Sequence, residues 1–322
     1  MKTLRKYLSA ILLTAMVAFV VGCTPEDDPN NGGNNNGETP DAPAGPTGGI
    51  GGVFSVNSNG GRVYFSQGNL QYQASTHTWR FASQQWELVG EGNANISSTY
   101  SGWIDLFGWG TSGWDNGNTY YLPADYEDTY ERMVNDGWGY GPTDGEHFDL
   151  DLTGHYANAD WGVFNPISNG GNRSGLWRTL TSEEWEYVFH QRNTTSGSRF
   201  AKAEVNGVNG IILLPDNWNA STYALRGTNS NSAYYVTNTV SSMDWNNVLE
   251  PAGAVFLPAA GSRYATTISA YDGEYAKGFY WSSTHDVDYG AMLLNFTRGT
   301  LLLTLSQYRY VGSSVRVVCS AE

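Results

Sequence analysis

From Val53 onward, apolar positions fall into short alternating runs rather than long helical stripes. "GRVYFSQGNLQYQ" and "HTWRFASQQWELVG" alternate with a period of two and are joined by Gly/Asn and Ser/Thr turns, the pattern of half-buried strands. "SRFAKAEVNGVNGIILLPD" predicts two strands around an Asn-Gly turn. "AVFLPAAG", "KGFYWSS", "AMLLNF" and "SVRVV" predict further short strands towards the C-terminus. Two stretches read as helices. In "LTSEEWEYVFHQR", Thr181 and Glu184 form a capping box, Leu180 and Trp185 a hydrophobic staple, and Trp185, Val188 and Phe189 one apolar stripe. "SSMDWNNVLEPAG" follows, stopped by Pro251 and Gly253. "YSGWIDLFGWGTSGWDNGN" has no helical period and predicts a packed loop or a bulged strand; residues 120–160 show no clear element and are long for a structureless loop. Strands mixed with about two helices and long loops, without βαβ order, predict a single α+β domain over 53–322.

The first 52 residues follow a different pattern. Lys2, Arg5 and Lys6 precede an apolar run from Leu8 to Val21, 14 residues long. A mature membrane helix needs about 20. The run ends in "VVGC", so 1–22 reads as a lipoprotein signal peptide and Cys23 as its lipidation site, against an ordinary signal peptide with a chance cysteine. Residues 24–52 hold five of the 11 prolines and little that is apolar. Together with the lipidated Cys23 they read as a disordered tether, with an end-to-end reach of roughly 30 Å. Glu26, Asp27 and Asp28 resemble a surface-export signal of some Gram-negative lipoproteins, or simply solvate the tether. The expected location is the outer membrane, lipid-anchored and surface-exposed.

Charge narrows the partners. Without the three leading cations the chain has 14 Lys and Arg against 31 Asp and Glu, a net of −17, which disfavours nucleic acid and anionic membrane surfaces. Only 15% of residues are charged, while there are 12 Trp and 21 Tyr, a composition suited to stiff β-structure and aromatic recognition. With Cys23 lipidated, Cys319 stands alone, so neither an intrachain disulfide nor a Cys-based zinc site can form. The five histidines lack metal-ligand spacing, and "GTSG" at Gly110–Gly113 is one residue short of a nucleophile elbow. Asp136, Asp144, Glu146, Asp149 and Asp151 cluster; a calcium site of oxygen ligands is the alternative reading, but EF-hand spacing is lacking and they read first as a solvated loop. Nothing in the sequence positively supports an enzyme, a metal site or a cofactor.

"WRTLTSEEWEYVF" resembles the capped-helix segment of formylglycine-generating-enzyme-like domains, which have a C-type-lectin-like fold. "FLPAAGSRY", "GFYWSS" and "SVRVV" resemble the terminal strands of secreted bacterial proteins of that group, and "VYFSQGNLQYQ" and "WIDLFGWGTSG" extend the likeness to the first half. The enzymes of the group use two cysteines for copper chemistry; here only Cys319 lies in the domain, so the resemblance implies the fold and not the activity.

A narrower resemblance is to the variable proteins of diversity-generating retroelements, in which residues on one exposed face are rewritten. It implies a frame that includes Gly278, Tyr280, Trp281, Ser282, Ser283, Ala291, Leu294, Phe296 and Arg309, with free positions between. Period-two alternation supports the division, placing Leu294 and Phe296 on one face and Leu293, Asn295 and Thr297 on the other. The ligand contacts so implied are Thr284, His285, Asp286, Asp288, Tyr289, Leu293, Asn295, Thr297, Arg298, Gln307, Tyr308 and Tyr310. "TLLLTLS" at Thr300–Ser306 is either an extra strand or an exposed apolar patch. The leading expectation is a surface lipoprotein binding a protein or glycan. The alternatives are a structural or adhesive coat protein and, behind it, a carbohydrate-active or protein-modifying enzyme.

Overall fold

A computed structural model of the chain describes residues 45–95, 97–114, 151–286 and 290–322. The expected signal peptide at 1–22, Cys23 and most of the tether lie outside the described residues, as do Asp136, Asp144, Glu146 and Asp149.

The described residues form mixed sheets with few helices, an α+β arrangement. One four-stranded sheet has the order β1 (Gly49–Ser55), β2 (Arg62–Ser66), β15 (Val317–Ser320), β5 (Arg178–Thr179). A second joins β8 (Thr239–Val240), β6 (Phe200–Val205), β7 (Val208–Leu213) and β9 (Val255–Pro258). The third is the antiparallel meander β12 (Gly278–Asp286), β13 (Gly290–Phe296), β14 (Leu301–Tyr308). Two ribbons pair β3 (Leu70–Gln73) with β4 (Thr78–Phe81) and β10 (Ser262–Tyr264) with β11 (Thr267–Ser269). The predicted Asn-Gly hairpin joins β6 to β7: Asn206 and Gly207 sit at φ 49° and 80°, the two positive angles that such a tight turn requires.

The helices are short. The first, α1 (Trp161–Phe164), is one turn capped by Asp160, whose carboxylate accepts from Gly162 N at 3.2 Å. The second, α2 (Ser182–Glu186), carries the predicted capping box: Thr181 Oγ1 accepts from Glu184 N, and Glu184 accepts from Thr181 N at 2.9 Å. Both staple residues, Leu180 and Trp185, are fully buried. The chain then widens into a π-turn over Tyr187–Gln191. The third, α3 (Ser242–Asp244), likewise passes into a π-turn over Trp245–Leu249.

Three apolar cores lie between these layers. The first gathers Phe54, Phe65, Trp185, Phe189, Phe200, Tyr280, Leu294 and Phe296 under α2. The second is built on Trp79, Phe107, Trp109, Trp161, Trp177, Trp281 and Leu293. The third packs Ile212, Trp245, Leu249 and Phe256 on the far side of the β6–β9 sheet. The β12–β13 hairpin therefore has a core on each face. This corrects the expectation of a free face on β13: Leu293 is fully buried in the second core, and Asn295, 6% exposed, donates from Nδ2 to Gly278 O at 3.1 Å. The "TLLLTLS" run is strand β14, with Leu301 and Leu303 in the first core and Leu302 outside at 49% exposure.

The expected tether boundary at residue 52 also moves, because β1 begins at Gly49 and Ile50 is buried. Its glycines serve close packing, not flexibility: a Cβ on Gly52 would lie 2.1 Å from the carbonyl oxygen of Gly253. Two backbones must separate to admit it, so Gly52→Ala is expected to cost about 1–3 kcal/mol, the usual range for overpacking. Thermal or urea unfolding of the variant checks this.

Candidate ligand-binding face

The expected contact residues fall on the β12–β13–β14 meander, and its register decides which of them meet. Asp286 pairs with Gly290 and Gly290 with Tyr308; His285 pairs with Ala291 and Ala291 with Gln307. Thr284–Asp286 and Gln307–Tyr308 therefore lie together at one end. Thr297 and Arg298 lie in the turn at the other end, the length of β13 away, about 20 Å at ~3.4 Å per residue. The expected single set is two groups.

At the first end, β12 bulges between Trp281 and His285. The bulge turns its backbone towards neighbouring loops: Ser283 N donates to Leu180 O and Leu152 N donates to Ser283 O, both at 2.8 Å. Thr284 Oγ1 accepts from Ser182 N at 3.0 Å and so caps the start of α2. His285 is half-buried. Asp151 Oδ1 accepts from its backbone N at 2.9 Å and lies 2.7 Å from its Nδ1. That contact fixes the ring and leaves Nε2 as its other polar edge. Asp286 is half-buried, and Gln307 Oε1 accepts from Tyr308 N at 2.9 Å. Asp288 and Tyr289 lie outside the described residues.

Tyr308 is the most exposed of the expected contacts described at this end, at 52%. Its ring stacks on Tyr310 with centroids 5.3 Å apart and planes 7° from parallel. Tyr310 is only 7% exposed and meets the edge of Tyr264 at 5.8 Å. This corrects its expected role: Tyr310 is the buried rung that supports Tyr308, while Tyr264, absent from the expected contacts, is exposed at 41%.

Buried cations hold the backbone under this ladder. Arg309 Nε donates to Gly290 O at 2.8 Å, and its guanidinium lies 4.5 Å from the centre of the Trp109 ring. Trp109 donates from its backbone N to Arg309 O and from its indole Nε1 to Ser282 O, each at 2.7 Å, so one residue ties β12 to the end of β14. Arg263 pairs with Gly312 and donates from Nη2 to Leu106 O at 3.2 Å. Burial pushes its pKa down to about 10, which still leaves it charged at neutral pH. Phe107 bridges Ser313, and Tyr280 bridges Ser314.

The Leu106–Phe107 segment is itself set by a buried knot. Asn93 Oδ1 accepts from Asp105 N and Leu106 N, and Asp105 accepts from Asn93 Nδ2 at 2.7 Å and Val89 N at 3.0 Å. Among the described residues no three His, Cys, Asp or Glu side chains come together as metal ligands, and no helix is long and apolar enough to cross a membrane. What the face offers is aromatic surface, hydroxyls, an oriented imidazole and a carboxylate. No family model, curated protein or solved structure matches the chain.

Burial pushes the Asp105 carboxyl up to about 6, against the opposing hydrogen bonds of Asn93 and Val89, and burial does the same to Asp160. A carboxyl whose folded-state pKa lies above its unfolded value binds its proton more tightly in the folded protein. Its contribution to stability grows as pH falls from about 6 towards 4 and is lost as pH rises through that window. The expected outcome is a shallower pH dependence of unfolding between pH 4 and 7 in Asp105→Asn than in the parent, read as melting temperature against pH.

Proposed function

We propose that the chain is a lipid-anchored surface protein whose domain has a C-type-lectin-like fold and binds a protein or glycan ligand through the face carrying Tyr308, Tyr264 and Thr284–Asp286. The observation that carries this reading is the tyrosine ladder: two exposed rings held on a buried third, on backbone fixed by buried Arg263 and Arg309. Tyrosine and arginine dominate binding energy at many interfaces, and a preorganised contact loses little entropy on binding. Support for the fold comes from the packing of the capped α2 helix against β12–β14 and from the pairing of β2 with β15. The composition and the "VVGC" motif support the anchor.

Attachment of the full chain, displayed on cells, to its target surface should be saturable. Tyr308→Ala and Tyr264→Ala should each weaken it by about 2 kcal/mol, the scale of a hot-spot residue, with melting temperature unchanged. Saturable attachment indifferent to both substitutions overturns the site. Non-saturable attachment favours the adhesive coat.

Diversification of the gene by a retroelement is tested in the flanking DNA, by searching for a reverse transcriptase and a near-copy of codons 278–318. Because Leu293, Asn295 and Tyr310 are buried, adenine differences between the copies should fall at codons 284–289, 297–298 and 307–308 and spare those three. Differences spread evenly over buried and exposed codons would contradict this.

A further inference from the structure

The second group of residues, at the opposite end of β13, forms a cluster of its own. Arg298 lies between two tyrosines, its guanidinium carbon 4.8 Å from the centre of the Tyr275 ring and 5.6 Å from that of Tyr234. Glu274 Oε2 accepts from its Nη1 at 2.6 Å. Both rings are open to solvent, Tyr275 at 65% and Tyr234 at 55%. Exposed aromatic surface of this kind needs a reason, and no packing demand supplies one.

The three loops that carry these side chains are tied together from beneath. The Lys202 side chain is buried and donates from Nζ to Thr300 O at 2.8 Å and to Asn231 O at 2.7 Å, joining the turn that bears Arg298 to the loop before Tyr234. Burial costs this ammonium much of its hydration, and its pKa falls to about 8. Tyr235, also buried, donates from its hydroxyl to Ala276 O at 3.0 Å and so fixes Tyr234 relative to Tyr275. Asn209 Nδ2 holds Gly273 O at 2.9 Å. Two buried polar side chains are thus committed to positioning loops whose outward cargo is two rings and a guanidinium.

We propose that Tyr234, Tyr275, Arg298 and Glu274 form a second binding site, for a neutral carbohydrate, separate from the tyrosine ladder and independent of it. Size argues against a protein partner. Two half-exposed rings offer about 200–300 Å² of aromatic surface, far below the roughly 800 Å² per partner of a standard protein interface. Charge argues against an acidic sugar, because Glu274 already neutralises the guanidinium and the chain is acidic throughout. Chemistry favours a neutral one. The C–H face of a sugar ring matches an exposed tyrosine face. Its hydroxyls donate and accept at once, which suits the guanidinium of Arg298 and the carboxylate of Glu274.

Affinity electrophoresis of the full chain in detergent tests this, with neutral polysaccharides (mannan, arabinogalactan, mixed-linkage β-glucan) or acidic ones (polygalacturonate, hyaluronan) cast in the gel. The proposal expects retardation by at least one neutral polymer, weakened about tenfold by Tyr275→Ala or Tyr234→Ala, ~1.4 kcal/mol for one lost ring. Tyr275→Phe, which keeps the ring, should bind nearly as the parent does. No retardation by any neutral polymer, retardation only by the acidic ones, or equal retardation of parent and both alanine variants overturns it. Loss in Tyr308→Ala alone would assign the sugar to the other face and overturn it as well.

Discussion

Adjacent residues in β12 point into different cores, and that constraint organises the molecule. Tyr280 stacks on Phe296 in the first core, with centroids 6.0 Å apart; Trp281 lies in the second with Leu293 and Ala291. Both carry a polar group into the interior, where an unmet hydrogen bond would cost about 1–3 kcal/mol. Neither is left unmet. Tyr280 donates from its hydroxyl to Pro258 O at 2.7 Å and accepts there from Asn69 Nδ2, while Trp281 Nε1 donates to Phe107 O at 2.7 Å. One dipeptide thereby fixes the hairpin against β9 on one side and the aromatic loop on the other.

The same economy runs through the buried arginines. Arg316, fully buried, donates to Phe256 O at 3.2 Å and to Gln85 Oε1 at 2.7 Å. Gln85 passes the polarity on, donating from Nε2 to Glu250 Oε2 at 3.0 Å, and Trp245 Nε1 donates to the same carboxylate oxygen. The cation and its countercharge are thus joined through an amide rather than in contact. Arg192 takes the direct route, pairing with Asp216 at 2.8 Å while it donates to Leu214 O and Arg199 O. Truncating either arginine would remove donors from Phe256 O and Leu214 O, whereas Arg199 O would keep its bond from Leu214 N; these side chains specify loop geometry more than they add net stability.

Local chemistry was legible in the sequence. The capping box of α2, the Asn206-Gly207 turn and the strand character of the C-terminal runs all follow from short-range rules and appear as expected. Long-range covering was not. Alternation tells that Leu293 and Leu294 point to opposite sides of β13; it does not tell that both sides are covered. Gly49–Gly52 looked like linker because a glycine needed for backbone contact and one needed for flexibility are written alike. Asp151 and His285 are 134 residues apart, and no spacing rule joins them. Tyr264 was hidden for a related reason, since the ring it meets, Tyr310, lies far along the chain, just past the end of β14.

The double burial of the hairpin also decides where recognition can reside. A sheet with one free face offers a row of side chains along each strand. Here the middle of β13 is covered from both sides, so the expected contacts that reach solvent gather at its two ends, at the half-buried Thr284–Asp286 and Gln307 with exposed Tyr308, and at the Thr297–Thr300 turn. Both ends are pinned by buried cations that grip backbone carbonyls, Arg309 at Gly290 and Lys202 at Thr300. Because those grips reach main-chain atoms, they do not depend on which side chains the ends display. Thr284 and Gln307 are exceptions among the contact residues, since their side-chain oxygens themselves accept from Ser182 N and Tyr308 N.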